Sequence, residues 1–185
     1  MAKAKNAQRR SRGSAIAEFG PALWLLAILI LIPLVDLASF MCGVGTVMMV
    51  ANLGCRKAAG ANTWSLASSL LTQTEADLAN FRSFALVVPI TGNSGVTLNV
   101  LGYPTGGGGS VTTYSPPPAA NKIPIDRSTL DSTIYDYQVV ASYNVLPLFN
   151  FKHLPVLSTI PGLGAAVPIT FTSTCNVEHP EGLNN

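Results

Sequence analysis

From Phe19 to Val35 the chain reads FGPALWLLAILILIPLV without a charged residue, and the apolar run resumes after Asp36 as LASFMCGVGTVMMVA. A helix needs roughly 20 apolar residues, at ~1.5 Å rise each, to cross the hydrocarbon of a bilayer. The segment meets that length and predicts a membrane-spanning helix. Composition points the same way, since 48% of the 185 residues are apolar and only 11% are charged. Few soluble domains are so poor in charge.

The charges are unevenly placed. Lys3, Lys5, Arg9, Arg10 and Arg12 all precede the first acidic residue, Glu18, and the six other basic residues face nine acidic ones, a formal net charge of −3 beyond the tail. A basic flank on one side of an apolar helix predicts a cytoplasmic N-terminus and an extracytoplasmic remainder. The main domain carries no basic excess of the kind that binds nucleic acid. A secretory signal has an apolar region of only ~7–15 residues, so a retained helix is expected here. Ser11-Arg12-Gly13 follows the arginine pair where a twin-arginine signal would turn apolar, and neither Cys42 nor Cys55 has a leucine three residues before it, as a lipoprotein box would.

Between the basic tail and the apolar run stands Arg12-Gly13-Ser14-Ala15-Ile16-Ala17-Glu18-Phe19. This resembles the type IV prepilin processing site, which implies cleavage by a membrane-embedded prepilin peptidase after Gly13. Ser14 would become the new N-terminus and Glu18 the fifth mature residue. Glycine lets the backbone lie close to an active site. A carboxylate at the start of a membrane helix needs a partner, and the amino group freed by cleavage is one; the helix dipole adds ~0.3–1 kcal/mol. Read as residues alone, Glu18 equally fits the cytoplasmic boundary of an uncleaved signal anchor.

The wider order RRSRGSAIAEFGPALWLLAILILIPLVDLASF resembles the TadE-like pseudopilins of tight-adherence (Flp-type) pilus systems, with an arginine-rich leader, Glu18-Phe19, an early proline and an apolar run ending in an aspartate. VANLGCRKAAGA at 50–61 and Thr174-Cys175-Asn176-Val177-Glu178 are similar to that family's helix extension and terminal strand. The likeness is specific over about 14–60, looser over 135–178 and absent between. It implies a minor pilin or pseudopilin in the bacterial inner membrane or in a pilus, with other pilins as partners and Glu18 and Phe19 packing against neighbouring helices. Asp36 fits either a buried charge with a partner or a residue near the outer boundary, and a packing role is expected because an intramembrane carboxylate usually faces protein. Pro21 falls in the first turns of the mature helix, whereas Pro33 predicts a kink.

Residues 1–13 thus read as a leader, 14–60 as the membrane helix with its extension, and 61–185 as an extracytoplasmic domain. In that domain Glu75–Leu86 has Leu78, Phe81, Phe84 and Ala85 at helical spacing, with Thr74 as candidate N-cap. Three runs alternate apolar and polar residues: 96–100, 135–145 and 167–177. They predict half-buried strands. The fold class expected is α+β, a long transmembrane helix followed by a short helix on an antiparallel sheet of about three to four strands. Gly106 to Gly109 and Pro116 to Pro118 mark 102–128 as an exposed loop. It lacks the Lys-Ser/Thr and helix start of a phosphate loop. The connection Pro147–Pro168 is apolar for a loop, which fits a cover for the sheet, a contact with the bilayer or a contact with another subunit.

Cys42 lies in the apolar helix and is expected to be a free, buried thiol. Cys55 and Cys175 fall on the oxidising side, where a disulfide between them would staple the helix extension to the sheet. His153 and His179 lack partners at metal-ligand spacing, and no serine sits in a nucleophile elbow. No catalysis, cofactor, metal or small-molecule substrate is expected. The alternative to a pseudopilin is an uncleaved, signal-anchored protein whose sheet domain binds a ligand or surface.

Overall fold

The computed structural model describes residues 3–90, 94–106, 109–115, 123, 125, 127–149, 161 and 165–184, with backbone alone for 3–18, 127 and 129. A long helix, α1 (Lys3–Ala59), leads into α2 (Trp64–Asp77), α3 (Ala79–Phe84) and the strands β1 (Val87–Pro89), β2 (Val96–Pro104), β3 (Thr112–Tyr114), β4 (Thr133–Val145) and β5 (Val167–Asn176). One long apolar N-terminal helix and an antiparallel sheet make the fold α+β. Pro21 and Pro33 both lie inside α1, which is assigned without a break.

The longest alternating run becomes the central strand. Tyr135, Tyr137, Val139, Ala141, Tyr143 and Val145 of β4 are buried, while the residues between them face the other side of the sheet. β4 pairs with β5 along one edge. Along the other edge it pairs first with β1, through Val87↔Val145 to Pro89↔Tyr143, and then with β2, through Val96↔Ala141 to Pro104↔Thr133. β1 and β2 are therefore one edge interrupted between Ile90 and Gly95. The outer face is polar, with Asn99 Nδ2 donating to Gln138 Oε1 at 3.2 Å.

Both larger helices cover the inner face. α1 turns a regular stripe toward β4 and β5: Asp36, Gly43, Val47, Val50, Gly54 and Ala58 are buried, with Phe40 packed against them. Steps of three and four residues keep this stripe on one side of a helix. Gly43 lets the helix approach closely, because a Cβ there would press on the Val145 side chain and on the carbonyl of Ala85. α2 packs on α1 and β2, and its Trp64 ring lies 6.2 Å from that of Tyr137.

The short helix differs from the sequence expectation. α2 starts at Trp64 with Thr63 as N-cap, whose hydroxyl accepts from Leu66 N–H at 3.3 Å. Thr74 is inside the helix and donates to the Leu70 carbonyl at 2.8 Å instead of capping. A break at Leu78 then separates α3. The serines of SLASS mask a stripe of Ala67, Leu70 and Leu71 that is helical in period. The sheet also holds two three-residue strands beyond the three alternating runs, both too short to show a period. One of them, β3, lies within the expected 102–128 loop and pairs antiparallel with β2, whose end at Pro104 also falls inside it. The 116–122 part of that loop, with its prolines, and 150–160, with His153, lie outside the described residues.

Candidate membrane and assembly site

α1 changes surroundings at Asp36. Every residue from Phe19 to Leu31 is exposed, and Phe19, Trp24, Leu25 and Leu29 are 66 to 71% exposed. Neighbours such as Trp24 and Leu25 point about 100° apart, so no face of this half is turned to protein. The segment Phe19–Ala59 is long and apolar enough to cross a membrane, and its most apolar 18 residues have a mean hydropathy of 2.5. Gly13, Ser14 and Glu18 belong to the stretch described by backbone alone, so their side chains lie outside the described residues.

Asp36 is 1% exposed, the first buried residue of α1 counting from Phe19. Its Oδ1 accepts the backbone N–H of Leu148 at 2.7 Å and that of Phe149 at 3.4 Å. Oδ2 has no hydrogen-bond partner among the described residues. A buried carboxylate needs donors, and the chain leaving β4 supplies them. The contact ties the exit of the apolar helix to a point more than a hundred residues along the chain.

Cys55 lies buried on the sheet-facing stripe of α1, and Cys175 is half-buried on β5. The register pairs Cys175 with Tyr137, and the Cys55 Sγ lies 3.5 Å from the Tyr137 carbonyl and 3.4 Å from that of Ser173. Burial first, and the neighbouring Cys175 thiol second, push the Cys55 thiol up to about 12. Both are free here, and joining them would take the loss of two electrons and two protons to an oxidant. Cys42 differs from expectation: it is free but exposed, because its helical phase turns it away from the sheet.

Sequence reasoning missed a buried polar cluster where the β1–β2 edge is interrupted. Glu75 Oε1 accepts from Tyr143 OH at 2.5 Å and from Gly95 N–H at 3.0 Å, and Oε2 accepts from Ser94 OH at 2.8 Å. Arg82 pairs with Oε1 at 3.5 Å, donates to the Glu75 carbonyl at 3.1 Å and stands 5.6 Å from the centre of the Tyr143 ring. Burial first, and the Glu75 carboxylate second, push the Tyr143 phenol well above its usual range, so it serves as a donor. Glu75 on α2 and Arg82 on α3 meet across the break at Leu78, and their partners come from β4 and from the residues before β2, an arrangement with no signal in the sequence.

Between α2 and β2 lies a cavity of about 280 Å³ whose lining includes Trp64, Ser68, Thr72, Asn99 and Ser115. The Trp64 Nε1 is buried without a partner among the described residues. Among these residues no three His, Cys, Asp or Glu side chains come close enough to hold a metal ion. Comparison with models of known families, with curated proteins and with solved structures returns no match.

Proposed function

We propose that this chain is a single-pass protein of the bacterial inner membrane and a structural subunit of the TadE-like pseudopilin type, with its N-terminus inside and its sheet domain outside. One observation carries the reading: the half of α1 that follows RGSAIAEF is apolar and exposed on every side, while its continuation is packed into a domain. A helix bare in that way is stable in lipid or among other such helices. Prepilin peptidase cuts after Gly13, the freed amino group of Ser14 meets the Glu18 carboxylate of the same or a neighbouring subunit, and Phe19 joins the contact between helices. The protein's activity is assembly and not catalysis, with other pilins or pseudopilins as partners.

The test is the N-terminal sequence, by mass spectrometry, of protein extracted from host membranes with and without the peptidase. A peptidase-dependent start at Ser14 is expected. An intact N-terminus would overturn processing and leave the second reading, a signal-anchored binding protein, which the cavity between α2 and β2 favours. That cavity reaches Ser115, at the foot of the Gly/Pro-rich loop.

A further inference from the structure

Asp36 holds the segment that follows β4 at one level of α1, and at that level the helix stops being exposed on every side, while one face stays exposed beyond it. Phe19 to Asp36 is 17 residue steps, or about 26 Å of helix. A bilayer's hydrocarbon core is about 30 Å thick, so a helix entering it at Phe19 carries Asp36 to the far acyl boundary. The Leu148 and Phe149 N–H groups, bonded to Asp36 at 2.7 and 3.4 Å, are fixed at the same depth. The segment there reads Leu146-Pro147-Leu148-Phe149, without a charged or hydrogen-bonding side chain. Leu146, Leu148 and Phe149 are 36 to 46% exposed, and Leu34 and Leu37 of α1, which precede and follow Asp36, are 61 and 57% exposed.

We propose that the Leu146–Phe149 segment, latched to Asp36, is a lipid-contacting collar of the domain that rests in the outer headgroup and acyl boundary around the emerging helix. The inference rests on the reading of α1 as a membrane span and adds a second contact with the same bilayer. Three features favour lipid as the occupant. The collar is bonded to α1 at Asp36, whose chain neighbours on the helix include the exposed Leu34 and Leu37. Its depth is that of acyl chains, which any protein partner would first have to displace. Its backbone N–H groups are engaged by a carboxylate, and donors satisfied within the protein are what a segment needs to enter a region poor in water. Asp36 gains in turn, since a carboxylate near hydrocarbon requires donors in place of water.

The experiment uses the full chain in vesicles of phosphatidylcholine brominated near the headgroup end of its acyl chains, and reads tryptophan quenching. The chain has two tryptophans: Trp24 in the exposed half of α1 and Trp64 buried in the domain. Three variants are compared with the natural chain: Trp24→Phe, the same with Leu148→Trp, and the same with Thr174→Trp, an exposed position toward the distal end of β5. Bromolipid is expected to quench part of the natural chain's emission, to lose that effect in Trp24→Phe, and to regain it with Leu148→Trp but not with Thr174→Trp. Quenching of the natural chain without quenching of the Leu148→Trp reporter would overturn the collar and leave the span intact. Equal quenching of both reporters would also overturn it, because the domain would then lie flat on the surface. A natural chain that bromolipid does not quench would remove the span and the collar together.

Discussion

Replacing Glu75 by alanine removes an acceptor that four donors share. Tyr143 OH, Ser94 OH and Gly95 N–H lose their partner, and the Arg82 guanidinium, 17% exposed, is left without its carboxylate. Removing one member of a buried ion pair costs about 3–5 kcal/mol, because the remaining charge stays desolvated. Tyr143→Phe is the milder perturbation. It removes one hydrogen bond to a charged group, worth about 1.5–3 kcal/mol, and keeps the ring beneath Arg82. Against a total stability of about 5–15 kcal/mol, the alanine variant should lose about 40% at the midpoints of these ranges and the phenylalanine variant about half as much. Urea unfolding of the full chain in detergent, in a Trp24→Phe background so that Trp64 alone reports, measures both, and the double variant gives their coupling, expected at about 0.5–3 kcal/mol. A Glu75→Ala change within ~0.5 kcal/mol of the parent, an effect typical of bland surface sites, would refute the reasoning. So would a Tyr143→Phe cost equal to that of Glu75→Ala.

Cys55 and Cys175 are expected to be joined when the protein is taken from an oxidising compartment. For the roughly 120 residues enclosed, chain entropy sets an upper value of about 5 kcal/mol, and loss of the bond should cost about 2–4; thiol labelling of the denatured, unreduced chain at Cys42 alone is the expected result, and labelling at all three cysteines refutes it. Asp36→Ala should leave the Leu148 and Phe149 N–H groups without an acceptor, at a cost of about 1–3 kcal/mol, whereas Asp36→Asn keeps an oxygen in place. Hydrogen exchange at those two amides should speed up in the alanine variant and stay nearer the parent in the asparagine one. Burial pushes the phenols of Tyr137 and Tyr143 above their ordinary range. A phenol that holds its proton more tightly in the folded state stabilises the fold below its unfolded value of ~10 and withdraws that stability as pH rises past it, by up to ~1.4 kcal/mol per pH unit for each group. Unfolding midpoints measured up the alkaline range should therefore fall less steeply for Tyr143→Phe.

Strands were readable where a long strand faced a core on one side only. Thirteen residues of β4 gave the alternation many periods in which to register, and β5 and the first half of β2 gave enough. β1 and β3, at three residues each, offered none, and their pairing is imposed by neighbours distant in sequence. The start of α2 was hidden because serine and small residues fill its first turns, and Thr74, a residue type that caps helices, instead bonds back within one. The apolar half of α1 was legible from the absence of charge alone. Its companion at Asp36 was not, since a carboxylate in an apolar run signals only that some donor must come, and the donor lies 112 residues away. The Glu75 cluster escaped for the same reason: hydroxyls and backbone amides from other elements have no pattern in one dimension.

The exposed and packed halves of α1 are one helix, and mechanics follows from that. Between the exposed apolar half and the sheet α1 is unbroken, with Pro33 the one residue there that cannot donate to the helix, so a rotation or lean of the first half reaches the second chiefly as rigid-body motion. From Asp36 to Ala59 the helix extends about 34 Å. A lean of ~20°, ordinary for spanning helices, would therefore sweep its far end, and the sheet fastened along it, through about 12 Å. The shaft is thus a lever with arms of about 26 and 34 Å, so a displacement of its apolar end reappears about a third larger at the far end of the domain, and the Asp36 latch sits at its fulcrum.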